Sequence, residues 1–316
     1  MRKLLSLLLA ILLIALCGCT GGGGGEEETT TQATQETVDP DSPLCDGKTL
    51  KILAVTSSFG LNTTQFLYDI AVAEGCTDVV VGRLYASGCT LEKHVTYSSG
   101  NVAGYEYTKN DSGQWDTIQN ATMEYGLQDE DWDIIFVQQS AAKSPLAESY
   151  GNYVDTLMAY LNENKTNPNA RFVWNMTWAY QGDSDQAVFV GNFNSDQMLM
   201  YETIVDVVQE KIVPRTDFAA IIPTGTAVQN ARTSYIGDTL TKDTYHLNNL
   251  GRAIAGYTLY AVLTGEPLTE INLGEVKSYD ITGSLVLTQE EKQVIIEAVN
   301  AAIASPWEIT QSSYTG

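Results

Sequence analysis

Only two residues of this 316-residue chain, His94 and His246, can supply an imidazole that exchanges a proton near neutral pH. Asp243 precedes His246 by three residues. At that spacing a carboxylate can reach the ring Nδ1–H within one turn, fix the tautomer and leave Nε2 to accept a proton. A base of this kind needs a nucleophile. Ser57 and Ser58 follow an apolar run at 50–55, with Thr56 between, and precede a helical pattern. A hydroxyl there would project from a strand end, beside helix N–H groups able to hold a developing oxyanion. Serine, histidine and aspartate in those roles perform acyl transfer. An isolated Asp-x-x-His also serves as a helix cap or surface pair, so the surrounding elements carry the weight.

Composition narrows the alternatives. With 17 Lys+Arg against 39 Asp+Glu, the net charge of −22 opposes binding to a nucleic-acid backbone, which depends on clustered cations. Two histidines and five cysteines are too few for a zinc-finger framework, and no P-loop or GxGxxG fingerprint occurs. No metal or other cofactor is expected.

The elements that must position these residues alternate. Short apolar runs at 50–55, 78–84, 134–137, 172–176 and 218–222 read as strands. Helical patterns fall at 63–74, where Phe66, Leu67, Ile70 and Ala71 share a face, and at 146–162, 197–212, 250–263 and 290–302. Val79-Val80-Val81 lacks polar alternation, as expected of a strand covered on both faces. Strand–helix repetition of this kind predicts an α/β fold, a three-layer α/β/α sandwich with a central parallel sheet of flavodoxin-like type. One β-hairpin interrupts it, 104–108 with 114–118 around Asn110-Asp111-Ser112-Gly113. No internal repeat and no second domain boundary is visible.

Ligands collect at the carboxyl ends of strands in open α/β sheets. Those ends carry Thr56-Ser57-Ser58-Phe59-Gly60, Tyr85-Ala86-Ser87-Gly88-Cys89, Gln138-Gln139-Ser140 and Thr177-Trp178-Ala179-Tyr180-Gln181, with Asp243-Thr244-Tyr245-His246 near the end of the chain. This order of blocks resembles the SGNH/GDSL hydrolase superfamily over roughly 50–265, and within it an uncharacterised SGNH-like branch, domain of unknown function 4886. The branch carries Gly-Asn-Ser-Phe, Gly-Gly-Cys-Ser-Leu and Gln-Gln blocks. The resemblance implies Ser58 as nucleophile, His246 as base and Asp243 as its orienting acid. It further implies oxyanion donors at the Ser58 and Gly88 N–H groups and at the Gln138 amide, with Gln139 the second choice. Thr56 stands where the branch has glycine and Ser57 where it has asparagine. A Thr56 side chain projecting into the cleft would favour binding without turnover.

The same resemblance extends to ligand contacts. The branch often has a histidine at the position of His94, which would then line the pocket; a structural or surface role is the alternative. Trp178-Ala179-Tyr180-Gln181-Gly182 resembles the Trp-x-Gln-Gly block of sialate O-acetylesterase-like proteins. Trp178 and Tyr180 would then offer an aromatic wall to a sugar, with core packing the alternative.

The N-terminus reads as a targeting segment. Arg2 and Lys3 precede an apolar run at 4–16 that is shorter than the ~20 residues of a membrane span. Leu16-Cys17-Gly18-Cys19 resembles a bacterial lipobox, which implies signal removal at 1–18 and lipidation of Cys19. Loss of Arg2 and Lys3 would take the net charge from −22 to −24. A Gly-, Glu-, Thr- and Gln-rich stretch makes 19–46 a flexible tether, leaving 47–316 as the folded domain. Cys45, Cys76 and Cys89 remain, an odd set in which Cys76 with Cys89 is one possible pair.

The expected protein is therefore an exported, lipid-anchored cell-envelope serine esterase that removes acyl groups, acetyl above all, from carbohydrate. Its partners would be a small acyl ester or acetylated glycan and, through the anchor, a membrane. An inactive surface glycan-binding module or a structural envelope lipoprotein on the same fold are the alternatives.

Overall fold

The computed structural model describes residues 43–277 and 283–315. Cys19, the 1–18 signal and the tether up to residue 42 lie outside the described residues. Strands and helices follow in the order β1 (Thr49–Thr56), α1 (Ser58–Thr64), α2 (Leu67–Ala73), β2 (Asp78–Tyr85) and α3 (Leu91–Ser99). Next come β3 (Tyr105–Asn110), β4 (Asp116–Ala121), α4 (Met123–Gln128), β5 (Ile134–Val137), α5 (Tyr153–Asn164) and β6 (Arg171–Asn175). The chain continues through α6 (Ala187–Phe193), α7 (Gln197–Lys211), β7 (Phe218–Ile222), α8 (Thr224–Arg232), α9 (Asn249–Thr264), β8 (Val276–Lys277), β9 (Ser284–Leu285) and α10 (Gln289–Ala304).

Seven strands form the central sheet in the order β4-β3-β2-β1-β5-β6-β7. The five strands β2-β1-β5-β6-β7 are parallel, with Thr49 to Thr56 in register with Asp78 to Tyr85, and Ile52 to Val55 with Ile134 to Val137. This is the expected doubly wound α/β arrangement. The hairpin does not stand apart from it: β3 pairs antiparallel with β2, Tyr85 opposite Glu106 and Val81 opposite Asn110, so the sheet is mixed. Val79, Val80 and Val81 are buried, as a strand roofed on both faces requires.

Helices flank the sheet in two groups. α9 packs on α1, α2, α8 and α10, whereas α3 packs on α4 and α5. Nearly every position of α9 is buried, consistent with its lack of a polar face. The helical pattern at 63–74 resolves into two helices, and the first begins five residues earlier, at Ser58. Thr63 and Thr64 donate their hydroxyls to the carbonyls of Phe59 and Gly60, at 3.2 and 2.7 Å. Such back-bonding competes with the helical ladder and accompanies a break at Gln65 and Phe66.

Leu44 and Cys45, which composition assigns to the end of the tether, already pack on the domain. The Cys45 N–H donates to the Leu263 carbonyl at 2.8 Å, and Arg171 donates to the Pro43 carbonyl. The three cysteines of the domain are free and buried. Cys76 and Cys89 are unbonded because they flank opposite ends of the eight-residue strand β2. At ~3.3 Å per residue that strand separates them by about 25 Å, far beyond disulfide reach.

Candidate active site

The chain leaves β1 for β2 on one side and later crosses to β5 on the other, so the sheet's switch point lies between β1 and β5. The first-block serines follow β1 and Gln138 follows β5 there. Ser57, in extended backbone at the N-cap of α1, turns the chain so that Ser58 opens the helix.

Across the cleft, the loop before α9 is held on three sides. The Thr241–Leu247 bridge closes its base, and the Asn248 side chain caps α9 by accepting from the Gly251 N–H. Asn62, one turn past Ser58 on α1, accepts the Leu247 N–H on its Oδ1 at 2.8 Å. That bond fixes the histidine loop directly to the helix carrying the serine.

The result is a continuous relay. His246 Nε2 lies 2.8 Å from Ser58 Oγ, and Nδ1 lies 2.8 Å from Asp243 Oδ2. The second carboxylate oxygen, Oδ1, accepts the His246 backbone N–H, also at 2.8 Å. Burial by itself would raise the Asp243 carboxyl. Hydrogen bonds from the His246 ring and backbone outweigh it and hold the group below the ordinary carboxylate range. Ionised Asp243 therefore keeps the Nδ1–H tautomer and presents Nε2 to the hydroxyl.

Thr56 does not block this contact. Its fully buried side chain turns away from the cleft into space vacated by Gly60, where an added Cβ would lie 1.8 Å from Thr56 Oγ1. The glycine missing from the first-block turn is in effect supplied four residues later, on α1.

Gln138 reaches the same turn through a polar chain. Thr224 Oγ1 donates to Asn175 Oδ1 at 2.6 Å, Asn175 Nδ2 to Gln138 Oε1 at 3.0 Å, and Gln138 Nε2 to Ser57 Oγ at 3.4 Å. This chain fixes which end of the Gln138 amide faces the serine turn. The contact is to Ser57 rather than Ser58. Gln139 is committed elsewhere: its Oε1 accepts the Leu91 and Ser140 N–H groups, and its Nε2 donates to Ser149. Gly88 occupies an exposed turn after β2 with φ of +57°, a left-handed conformation suited to glycine.

Three expected ligand contacts lie elsewhere. His94 is wholly buried, with Nδ1 2.8 Å from the Tyr105 hydroxyl and its ring stacked on Tyr105. Burial, assisted by Lys93, pushes its pKa down to about 3. It is a core histidine and does not line the cleft. Trp178 and Tyr180 are likewise buried and offer no face to a sugar. Trp178 stacks on Phe59 with centroids 4.0 Å apart and donates its indole N–H to the Tyr245 carbonyl at 2.8 Å. Phe59 meets His246 edge-on at 5.9 Å. These rings buttress the relay from behind, a stack of this kind adding about 1 kcal/mol beyond burial.

A cavity of about 200 Å³ opens beside the relay, lined by Ser58, Leu61, Asn62, Gln65, Tyr85, Lys242, His246 and Arg252. Asn62 on α1 and Gln65 at its C-cap, four and seven residues after Ser58, were not among the expected site residues, although that spacing puts them on the side of Ser58. Tyr85 falls in the block that ends β2, where ligands are expected, whereas Lys242 and Arg252 carried no local signal. Among the described residues no group of three or more His, Cys, Asp or Glu side chains could hold a metal ion. No described helix is long and apolar enough to cross a membrane.

A family model described as "Domain of unknown function (DUF4886)" matches residues 51–277. Among solved structures, a DUF4886 family protein from Bacteroides uniformis ATCC 8492 is similar at 32% identity and a TM-score of 0.76, covering 85% of this chain and 100% of that one. A protein from Slackia heliotrinireducens described as a proposed SGNH hydrolase matches at 16% identity and a TM-score of 0.44, covering 69% of this chain and 100% of its own. No curated protein matches. With most of its folded residues matched by that model, this chain belongs to the DUF4886 family.

Proposed function

We propose that this protein is a serine esterase of SGNH type that removes a short acyl group, such as acetyl, from a carbohydrate hydroxyl. The observation that carries the reading is the Ser58 Oγ–His246 Nε2–Asp243 relay, with both contacts at 2.8 Å. Ser58 Oγ adds to the ester carbonyl as His246 Nε2 takes its proton. The same imidazolium then protonates the departing alcohol, leaving an acyl-Ser58. Water, activated by His246, releases the acid and restores the serine. Asp243 stays ionised throughout and stabilises the imidazolium.

The carbonyl oxygen becomes an oxyanion in both steps. The N–H groups of Ser58 and Gly88 and the Gln138 amide are its assigned donors, each worth about 3 kcal/mol of barrier. The Thr224–Asn175–Gln138 chain supports this role by fixing the amide's orientation at the serine turn. A small cavity lined by Asn62, Gln65 and Tyr85 suits a short acyl group on a polar alcohol better than a long fatty chain. The same proposal includes location: the lipobox-like Leu16-Cys17-Gly18-Cys19 supports a lipid-anchored enzyme acting on glycans at the cell envelope.

Hydrolysis of p-nitrophenyl acetate by wild type, Ser58→Ala and His246→Ala tests the reading. Wild-type turnover abolished by either substitution is expected, and equal rates in all three overturn it.

A further inference from the structure

The cavity beside Ser58 has a neighbour. A second recess of about 150 Å³ is lined by Leu61, Arg83, Glu106, Thr108, Trp115 and Thr117. Leu61 borders both cavities, and Tyr85 of the first pairs across the sheet with Glu106 of the second. Arg83, two residues before Tyr85 on β2, points to the same face and pairs with Thr108, which in turn pairs with Thr117. All but Leu61 and Arg83 come from the hairpin or from the turn joining its strands.

This recess is built. The Arg83 guanidinium is buried, donates to the Thr64 carbonyl at 2.8 Å and lies 3.3 Å from the centroid of the half-buried Trp115 ring. Thr108 is 7 % exposed, and its Oγ1 has no hydrogen-bond partner among the described residues. A buried hydroxyl left unmatched is costly, and a χ1 rotation that turns Thr108 Oγ1 into the recess would let a hydroxyl-bearing ligand satisfy it. Glu106 adds a carboxylate acceptor and Thr117 another hydroxyl. The Asp69 carboxyl, which feels the Arg83 charge, and Glu106 offset the single guanidinium, so the recess suits a neutral polyol over an anion.

We propose that the cleft continues past Leu61 into a second subsite, where Arg83, Glu106, Thr108, Trp115 and Thr117 hold a neutral sugar ring adjoining the acylated one. The inference rests on the esterase reading, and it makes the substrate at least a disaccharide. The hairpin then acts as a specificity wall, extending the sheet beyond β2, whose Tyr85 lines the nucleophile's pocket.

The probes are mono-O-acetylated cellobiose and maltose, observed by saturation-transfer NMR on the Ser58→Ala protein, so that binding is read without turnover. Saturation of both rings is expected, with the second-ring signal falling at least fivefold in Ser58→Ala/Trp115→Ala and in Ser58→Ala/Thr108→Val. With Ser58 restored, the kcat/KM ratio of acetylated disaccharide to p-nitrophenyl acetate is expected to drop at least tenfold in the Trp115→Ala and Thr108→Val enzymes. Absent second-ring saturation, or signals and ratios unchanged by both substitutions, overturns the subsite. If both rings are saturated but wild type turns over neither ester, the esterase reading fails and the subsite stands. If p-nitrophenyl acetate is turned over without second-ring contact, the subsite alone fails.

Discussion

The two histidines of the domain receive opposite treatment from the same fold. His246 keeps 18% of its side chain exposed, with a carboxylate on Nδ1 and a serine hydroxyl on Nε2. His94 is wholly buried, with only a tyrosine hydroxyl on Nδ1, and its pKa is pushed down to about 3. A carboxylate partner stabilises the imidazolium that general-base catalysis must form, whereas a dry phenol partner leaves it unsupported. Being a histidine is thus not enough. The partner on the far nitrogen and the route to solvent decide which ring can accept a proton.

The largest expected effect separates the two directly. His246→Ala should lower kcat/KM for p-nitrophenyl acetate by about 10³-fold or more. His94→Ala should leave kcat/KM per folded molecule within about twofold but cost about 2–4 kcal/mol in denaturant unfolding, because it empties a core site. A His94→Ala enzyme that is stable and inactive would erase the distinction. Asp243→Asn comes next: it retains the shape but loses the charge that supports the imidazolium, for a loss of about 10²–10⁴-fold in kcat.

The contrast also has a pH signature. Below about pH 6.5 the unfolded chain protonates His94 while the folded chain resists until about pH 3. The unfolded state therefore binds more protons, and stability falls as pH drops through that window, by about 1.4 kcal/mol per pH unit from this residue. Urea midpoints measured from pH 7 to 4 should show this slope in wild type and a shallower one in His94→Gln. The smallest effect belongs to Asn62→Ala, which frees the buried Leu247 N–H and loosens the histidine loop. It should cost about 1–3 kcal/mol in stability, with about a tenfold fall in kcat.

How much of this was legible in the sequence depends on how local each signal is. Strands at 134–137 and 218–222 appear with those bounds, because apolar runs between polar turns are a local pattern. Helix α8 escaped notice: TGTAVQNAR is mostly polar, with only Ala227, Val228 and Ala231 apolar, so nothing local announces that it is buried at every position. Helix α6 escaped too: in AVFVGNF two valines and a glycine disfavour a helix, and Phe189 and Phe193 alone, four apart, mark its buried face. Asp243 and His246 were readable as a three-residue spacing, and Ser58 by its place after a strand. Their approach across 188 residues, by contrast, is tertiary. Trp178 and Tyr180 were misplaced because an aromatic after a strand looks the same whether it faces a ligand or the back of a helix. Thr56 likewise looked obstructive until Gly60 was seen beneath it, a compensation between residues four apart that only the helix reveals.

The account stands or falls on Ser58 being the hydroxyl that His246 activates. Treatment with a fluorophosphonate, followed by intact-mass and peptide mass spectrometry, reads this directly. One adduct on Ser58 is predicted in wild type and in His94→Gln, with the labelling rate reduced at least ~100-fold in His246→Ala. An adduct on another residue, no adduct in wild type, or an equal rate without His246 would contradict it.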